Sequence, residues 1–167
     1  MRAARPFFGA GREGFVSALE ASGLPGRGGA GFPAAIKLAV AHAAGPGGTV
    51  VVNGMEGEPA SDKDKLLLIR APHLVLDGAQ LLAAASGARS VTVAVPQGRE
   101  HVAAAVLAAM AERARTVHAP VPEEMVRPPD RFIAGEESAL AAWFETGRSL
   151  PSFRPDKGTA LRIGRAP

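Results

Sequence analysis

The chain has no cysteine among its 167 residues. It can therefore hold neither a disulfide nor a cysteine-ligated iron–sulfur cluster. Its four histidines, His42, His73, His101 and His118, are scattered without metal-ligand spacing, so no zinc site is suggested. No apolar run reaches the roughly 18 residues that a bilayer-spanning helix needs. The softest stretch, Val102 to Ala111, is alanine-rich, follows Arg99-Glu100-His101, and reads as a buried helix. The start, Met1-Arg2-Ala3-Ala4-Arg5-Pro6-Phe7, has two arginines but no apolar core behind them. It does not read as a secretory signal, and a cytoplasmic location follows by default. A basic helix with interleaved aromatics is also missing, which argues against nucleic-acid binding.

What is present suits a folded globular domain: 47% hydrophobic and 21% charged residues in a length that can bury a core. The net charge is +3. Residues 147–167 hold Arg148, Arg154, Lys157, Arg162 and Arg165 against Asp156 alone. The remainder nearly balances, so the basic excess is a property of this tail. The chain divides into an N-terminal extension (1–14), an α/β domain (15–146) and the basic tail (147–167).

Helical spacing of Phe15, Val16 and Leu19 predicts a helix over 13–22. A second helix is expected over 33–44, opened by Pro33 and ended at Gly45-Pro46-Gly47-Gly48. Thr49-Val50-Val51-Val52 reads as a buried strand. Helices follow over 62–70 and from Pro72 to Ser86, the latter stopped by Gly87. Val91, Val93 and Val95 mark a second strand, and a long helix is expected from Gly98 to Arg115. Thr116–Ala119 reads as a third strand, Pro120, Pro122, Pro128 and Pro129 as a loop, Arg131–Ala134 as a fourth strand, and Glu136–Thr146 as a short helix. This alternation predicts an α/β, Rossmann-like layered fold with a mainly parallel central sheet, entered through a glycine-rich helix–loop–helix. Ligands in such sheets collect at the carboxyl ends of strands.

Three segments carry candidate chemistry. The first is Gly26-Arg27-Gly28-Gly29-Ala30-Gly31-Phe32-Pro33. Its glycines allow positive φ and close approach of a ligand to the backbone, and successive N–H groups in such a loop make an anion site. Arg27 adds charge and Phe32 a ring for stacking. Gly26, Gly28 and Gly31 spell G-x-G-x-x-G, but a helix leads in where the dinucleotide fingerprint needs a strand. A plain tight turn would explain the same glycines. Lys37, on the next helix, either snorkels or reaches a phosphate.

The second segment, Asn53-Gly54-Met55-Glu56-Gly57-Glu58-Pro59, follows the first strand. Asn53 can donate to and accept from a heterocycle edge. Glu56 and Glu58 either accept from ribose hydroxyls or a carboxamide, or cap the following helix. The third is Gly135-Glu136-Glu137-Ser138-Ala139-Leu140. Negative charge at a helix N-terminus is itself a sufficient structural reason for Glu136 and Glu137.

Taken in order, these three segments, with Lys37, Lys63-Asp64 and Pro72-His73-Leu74 between them, resemble the FMN- and NADH-binding 51-kDa flavoprotein of respiratory complex I, the F-subunit family of NADH–quinone oxidoreductases. The resemblance runs over about residues 15–157 and implies FMN and NAD(H) as cofactors. It places Gly26, Arg27, Gly28, Gly29, Lys37 and Asn53 at the flavin or its phosphate, and Phe32 on the adenine of NADH. It puts Glu58 and Glu137 at the dinucleotide and Gly135 and Glu136 along the isoalloxazine, and counts Gly31 and Glu56 among the cofactor-binding residues.

Hydride transfer would pass between the cofactors, with no acid–base residue required. A carboxylate at Glu58 beside a ribose disfavours a 2′-phosphate, which implies NADH over NADPH. An electron-accepting iron–sulfur protein and a peripheral place on a membrane complex are the implied partners. Met55 stands where the family has Asp, and Ala134 where it has Cys. The family's later β-grasp and cluster-binding domains are absent, which suggests a fragment, a truncated product or half of a split protein, with exposed sheet or helix surface near its end. Electron-transfer subunits of the Rnf type share the glycine loop and the Asn-x-x-Glu-x-Glu-Pro segment. The same residues would also suit a non-catalytic flavin or nucleotide module, or an interaction domain with a relict site.

Overall fold

A computed structural model describes residues 11–26, 31–43, 45–56, 60–116 and 119–150. The elements are α1 (Gly11–Ala21), α2 (Ala34–Ala43), β1 (Thr49–Asn53), α3 (Lys63–Arg70), α4 (Pro72–Ser86), β2 (Ser90–Ala94), α5 (Glu100–Thr116), β3 (Glu123–Val126), a 3-10 turn (Phe132–Gly135) and α6 (Glu137–Thr146). The three strands form one parallel sheet in the order β1-β2-β3. The mainly parallel α/β reading therefore holds.

The alternation of β2 explains the layering. Val91, Val93 and Val95 are fully buried and pack with Ala79, Ala83 and Leu76 of α4 and with Val102, Ala103 and Val106 of α5. Successive strand residues point to opposite faces. Ala94 accordingly packs on the other face, against Met55, Ala134 and Leu140. Helices α4 and α5 thus cover one face, and the 3-10 turn with α6 covers the carboxyl end of the other. Helices α1 and α2 pack on each other and on α4.

Helix ends follow local chemistry. Pro72 opens α4 without wasting a donor, and Gly87 closes it in the left-handed conformation, φ 77°. Gly54 is required by space. A Cβ there would sit 2.8 Å from the carbonyl oxygen of Ala94 and 2.6 Å from Leu68 Cδ1. The leucine tip can turn aside, but the strand carbonyl cannot. Gly54→Ala is expected to destabilise the domain by about 1–3 kcal/mol, read as a lower urea midpoint with an unchanged slope.

Two strand assignments need correction. The third strand is Glu123–Val126, inside the stretch read as a proline loop, not Thr116–Ala119. Helix α5 runs to Thr116, and residues 117–118 lie outside the described residues. The prolines flank β3 and contribute carbonyls only: Val91 N donates to Pro122 O at 2.9 Å and Gln97 N to Pro128 O at 2.9 Å. Residues 132–135 form the 3-10 turn in place of a fourth strand.

The two glutamates that disguised β3 each have a specific partner. Glu124 accepts from Thr92 Oγ1 at 2.7 Å. Glu123 accepts from Arg113 Nε through both oxygens, each at 3.1 Å, and from Gln80 Nε2 at 2.9 Å. The Arg113 side chain is only 2% exposed and also donates to Asp77 at 2.6 Å. Burial works against its charge, but the hydrogen bonds and charges of Glu123 and Asp77 outweigh that and raise its pKa.

Candidate functional site

The carboxyl end of β1 is where two of the three motif segments meet. Asn53 Nδ2 donates to the carbonyl of Gly135 at 2.8 Å, across 82 positions of sequence. Its Oδ1 accepts from Met55 N at 3.2 Å. One side chain therefore fixes both the turn leaving β1 and the turn entering α6. An amide can do this because it carries donors and an acceptor. Asn53 itself is exposed, so its remaining N–H and lone pair face outward from the junction.

Under this junction lies an apolar floor. Met55 (3% exposed), Ala94, Ala134 and Leu140 are buried together, with Val51, Val126 and Phe144 against them. By sequence, Met55 and Ala134 are departures from a family pattern. The structure gives both a packing role, pinning the 3-10 turn to the ends of β1 and β2.

The glutamates beside the junction act on backbone. Glu56 adopts φ 35° and its side chain is 3% exposed. Its carboxylate accepts from Ser61 Oγ at 2.6 Å and from the amides of Asp64 and Lys65, both at 3.1 Å. Those amides are in the first turn of α3, so Glu56 takes the helix-capping role. Glu136 is the N-cap of α6, accepting from the amides of Ser138 at 3.0 Å and Ala139 at 3.1 Å and from the Ser138 hydroxyl. Glu137 is exposed in the first turn of α6.

Burial pushes the Glu56 carboxyl up. The Ser61 hydroxyl, the Lys65 and Asp64 amides and the Lys63 charge outweigh it and leave the group below the ordinary glutamate value. Glu136 behaves likewise, burial being overcome by the Ser138 hydroxyl and the Ser138 and Ala139 amides. A carboxyl depressed in the folded state stabilises above its unfolded pKa and loses that contribution as pH falls through the folded one. Both caps are therefore expected to weaken progressively as pH falls below the ordinary glutamate range. In Glu56→Gln, urea midpoints measured from neutral pH down to about pH 3 should fall less steeply than in the parent.

The glycine segment has a clamped neck. Pro25 and Pro33 form an antiparallel bridge. Gly26 N donates to Phe32 O at 2.7 Å and Ala34 N to Leu24 O at 2.9 Å. A Cβ on Gly26 would lie 3.1 Å from Phe32 O, and Gly31 takes φ 59°. Helices α1 and α2 flank this neck, as expected. Lys37 Nζ lies 5.9 Å from the centroid of the Phe32 ring, a cation–π distance. Arg27, Gly28, Gly29 and Glu58 lie outside the described residues.

The ends of β2 and β3 are closed by their own polar groups. Arg127 donates to Glu100 and to the carbonyl of Pro96, and Gln97 Nε2 donates to the carbonyl of Arg127. No pattern in the sequence marks these pairs, nor Ser61 as the partner of Glu56. A Glu-x-Ser spacing at a helix start is the one local signal, and it fits Glu136 with Ser138.

Among known proteins, the family model of the Nuo51 FMN-binding domain matches residues 19–163. The chain belongs to this family. It is 28% identical over 158 residues to the F subunit of NADH-quinone oxidoreductase from Rhodobacter capsulatus, a match that takes in 88% of the chain and 37% of that protein. It is 37% identical over 134 residues to the C subunit of the ion-translocating oxidoreductase complex from Pseudomonas aeruginosa, covering 80% of the chain and 16% of that protein.

In structure, it resembles a chain of the NAD+-reducing [NiFe]-hydrogenase crystallised in the H2-reduced state. The TM-score is 0.78 at 31% identity, over 86% of this chain and 26% of that one. This Nuo51-type domain thus spans little more than a third of the Rhodobacter capsulatus relative. Among its described residues no single helix is long and apolar enough to cross a membrane, and no cluster of His, Asp and Glu could hold a metal ion.

Proposed function

We propose that this domain binds FMN and NADH side by side and serves an NADH dehydrogenase-type electron-transfer assembly. The observation that carries this reading is the bond from Asn53 to Gly135, which brings two motif segments together at the carboxyl end of a parallel strand. The residues present fit a flavin nucleotide. The neck at Gly26 has no room for a side chain without displacing Phe32 O, the loop it closes is rich in backbone donors, and Asn53 offers an amide edge above an apolar floor.

FMN supplies the hydride-accepting chemistry when bound. The chain's own residues bind, orient and exclude water. Gly26 closes the neck through its bond to Phe32 O, Arg27, Gly28, Gly29 and Gly31 are assigned to the flavin or its phosphate, and Lys37 adds charge. Phe32 offers its ring to the adenine, and the cation of Lys37 keeps that ring oriented. Asn53 meets the flavin edge. Gly135 and Glu136 form the wall beside it, and Glu58 and Glu137 meet the dinucleotide. Glu56 acts at one remove, by fixing the start of α3. Met55, Ala94, Ala134 and Leu140 keep the floor dry, which strengthens polar contacts above it.

The electron acceptor on this reading is an iron–sulfur partner, since the chain has no cysteine to hold a cluster. The relatives named above are subunits of larger assemblies, and we place this domain on the cytoplasmic side, peripheral to such an assembly. The match to the Pseudomonas aeruginosa ion-translocating complex favours a second reading, a subunit of the Rnf type. The Gly135-Glu136-Glu137-Ser138 element favours the NADH–quinone oxidoreductase type.

Titration of flavin fluorescence tests the phosphate cradle. FMN should bind at least about tenfold tighter than riboflavin, because charge-assisted hydrogen bonds to phosphate are worth about 1.5–3 kcal/mol. Equal affinities would remove the glycine loop from the site.

A further inference from the structure

Helix α5 is apolar all the way round over 102–111, where no side chain carries a polar group. Only one side of it is used within the domain. Val102, Ala103, Val106 and Ala109 are buried and pack with Leu68, Leu76, Val93 and Val95. On the opposite side Ala104, Leu107, Ala108 and Ala111 are exposed, Leu107 by 51%. Their spacing is i, i+3, i+4, i+7, the pattern of a helix face that is normally buried. A surface helix ordinarily turns charges outward there, and a helix apolar on every side is ordinarily covered on every side. Helices α3 and α4 pack against α5 and carry further exposed leucines, Leu66, Leu67 and Leu74.

The charges at the two ends of this seam decide what covers it. Glu100 stands in line with the seam at its amino end and Arg115 at its carboxyl end, and both are exposed. At about 3.6 residues per turn, Leu107 lies on one flank of the seam, and His101 and Glu112 lie on the other. A second α5 laid antiparallel on the first, about a two-fold axis between positions 107 and 108, is complementary throughout. Glu100 meets Arg115 of the copy, and Ala104 meets Ala111. The two Leu107 side chains meet across the axis. On the other flank His101 meets Glu112 of the copy. A parallel pairing in register would set Glu100 on Glu100 and Arg115 on Arg115, which repel.

We infer that α5 pairs antiparallel with α5 of a second copy of this chain, in a two-fold dimer with Leu107 at its centre. An isologous contact requires a self-complementary face, and the order acidic end, apolar middle, basic end supplies one. A single helix seam covers less than the ~800 Å² per partner of a standard interface. The dimer is therefore weak, with a dissociation constant on the order of 100 μM. The inference rests on the outer face of α5, and it stands whether or not the Asn53–Gly135 junction binds flavin.

Sedimentation velocity of the 167-residue chain, from about 10 μM to about 1 mM, tests it. The expected result is a monomer at the low end and a dimer at the high end. Leu107→Glu puts two carboxylates across the axis. It should hold the chain monomeric throughout and leave the urea midpoint unchanged, since the side chain is exposed. Arg115→Glu sets like charges against each other at both ends of the seam and should raise the dissociation constant at least about tenfold. Because the chain has no cysteine, Leu107→Cys gives an independent reading. A short bismaleimide should join two chains through it, and should not do so through the exposed α4 control Leu82→Cys. A chain still monomeric at about 1 mM would overturn the inference. So would a dimer that either charge variant leaves intact, which would put the contact on another face. Cross-linking through Leu82→Cys as readily as through Leu107→Cys would overturn it as well.

Discussion

Replacing Asn53 with alanine should weaken FMN binding by roughly ten- to thirtyfold, about 1.4–2 kcal/mol. The loss has two parts. The outward N–H and lone pair disappear from the flavin edge. The bond to Gly135 also disappears, so the turn that enters α6 is no longer held against the end of β1. Asn53→Asp separates these parts. It keeps the size and the acceptor for Met55 N, but turns the group facing the Gly135 carbonyl into a second acceptor. The aspartate variant should therefore bind FMN no better than the alanine one. Flavin fluorescence titration reads the affinity, and urea midpoints show how much of the change is stability. Parent-like FMN affinity in both variants would sever the junction from the site.

The largest effect on stability should come from Arg113→Leu. Arg113 is nearly inaccessible, Glu123 is 7% exposed, and the two are joined by hydrogen bonds through both carboxylate oxygens. Removing one partner of such a pair leaves the other buried and unpaired, at about 3–5 kcal/mol. For a domain of this size that is a fall in Tm of roughly 6–20 °C. A companion variant, Arg113→Leu with Glu123→Leu, should recover much of the loss, because it removes both charges. Urea unfolding of the parent, the single and the double variant measures this directly. A double variant less stable than the single would mean that Gln80 depends on Glu123 more than the geometry implies.

Much of this architecture is legible in the sequence because its signals are local. Helix α4 begins at Pro72 and stops at Gly87, both as the residue types require. The valines of β2 alternate, and their alternate members are core. The strand β3 is hidden for a physical reason. Its glutamates look like a solvated loop until Arg113, Gln80 and Thr92 are known to meet them, and those partners come from α5, α4 and β2.

The stretch 131–134 has strand-like composition. It lies beyond the end of β3, only a few residues before α6, and closes on itself through Ala134 N to Arg131 O and Glu136 N to Ile133 O. For the site, the three motif segments and their residue types could be read directly. The bond between Asn53 and Gly135 could not, since nothing within either segment points to the other. Capping was one of two roles open to Glu56 and Glu136, and only the positions of Ser61, Asp64, Lys65, Ser138 and Ala139 decide for it.

On the reading proposed above, this Nuo51-type domain holds FMN where NADH can reach it. The decisive observation is the absorbance spectrum of the purified chain after incubation with FMN and removal of the unbound flavin, before and after anaerobic NADH. The expected result is a yellow protein whose flavin band, at about 450 nm, bleaches on addition of NADH. A protein left colourless once the unbound flavin is removed would refute the proposal.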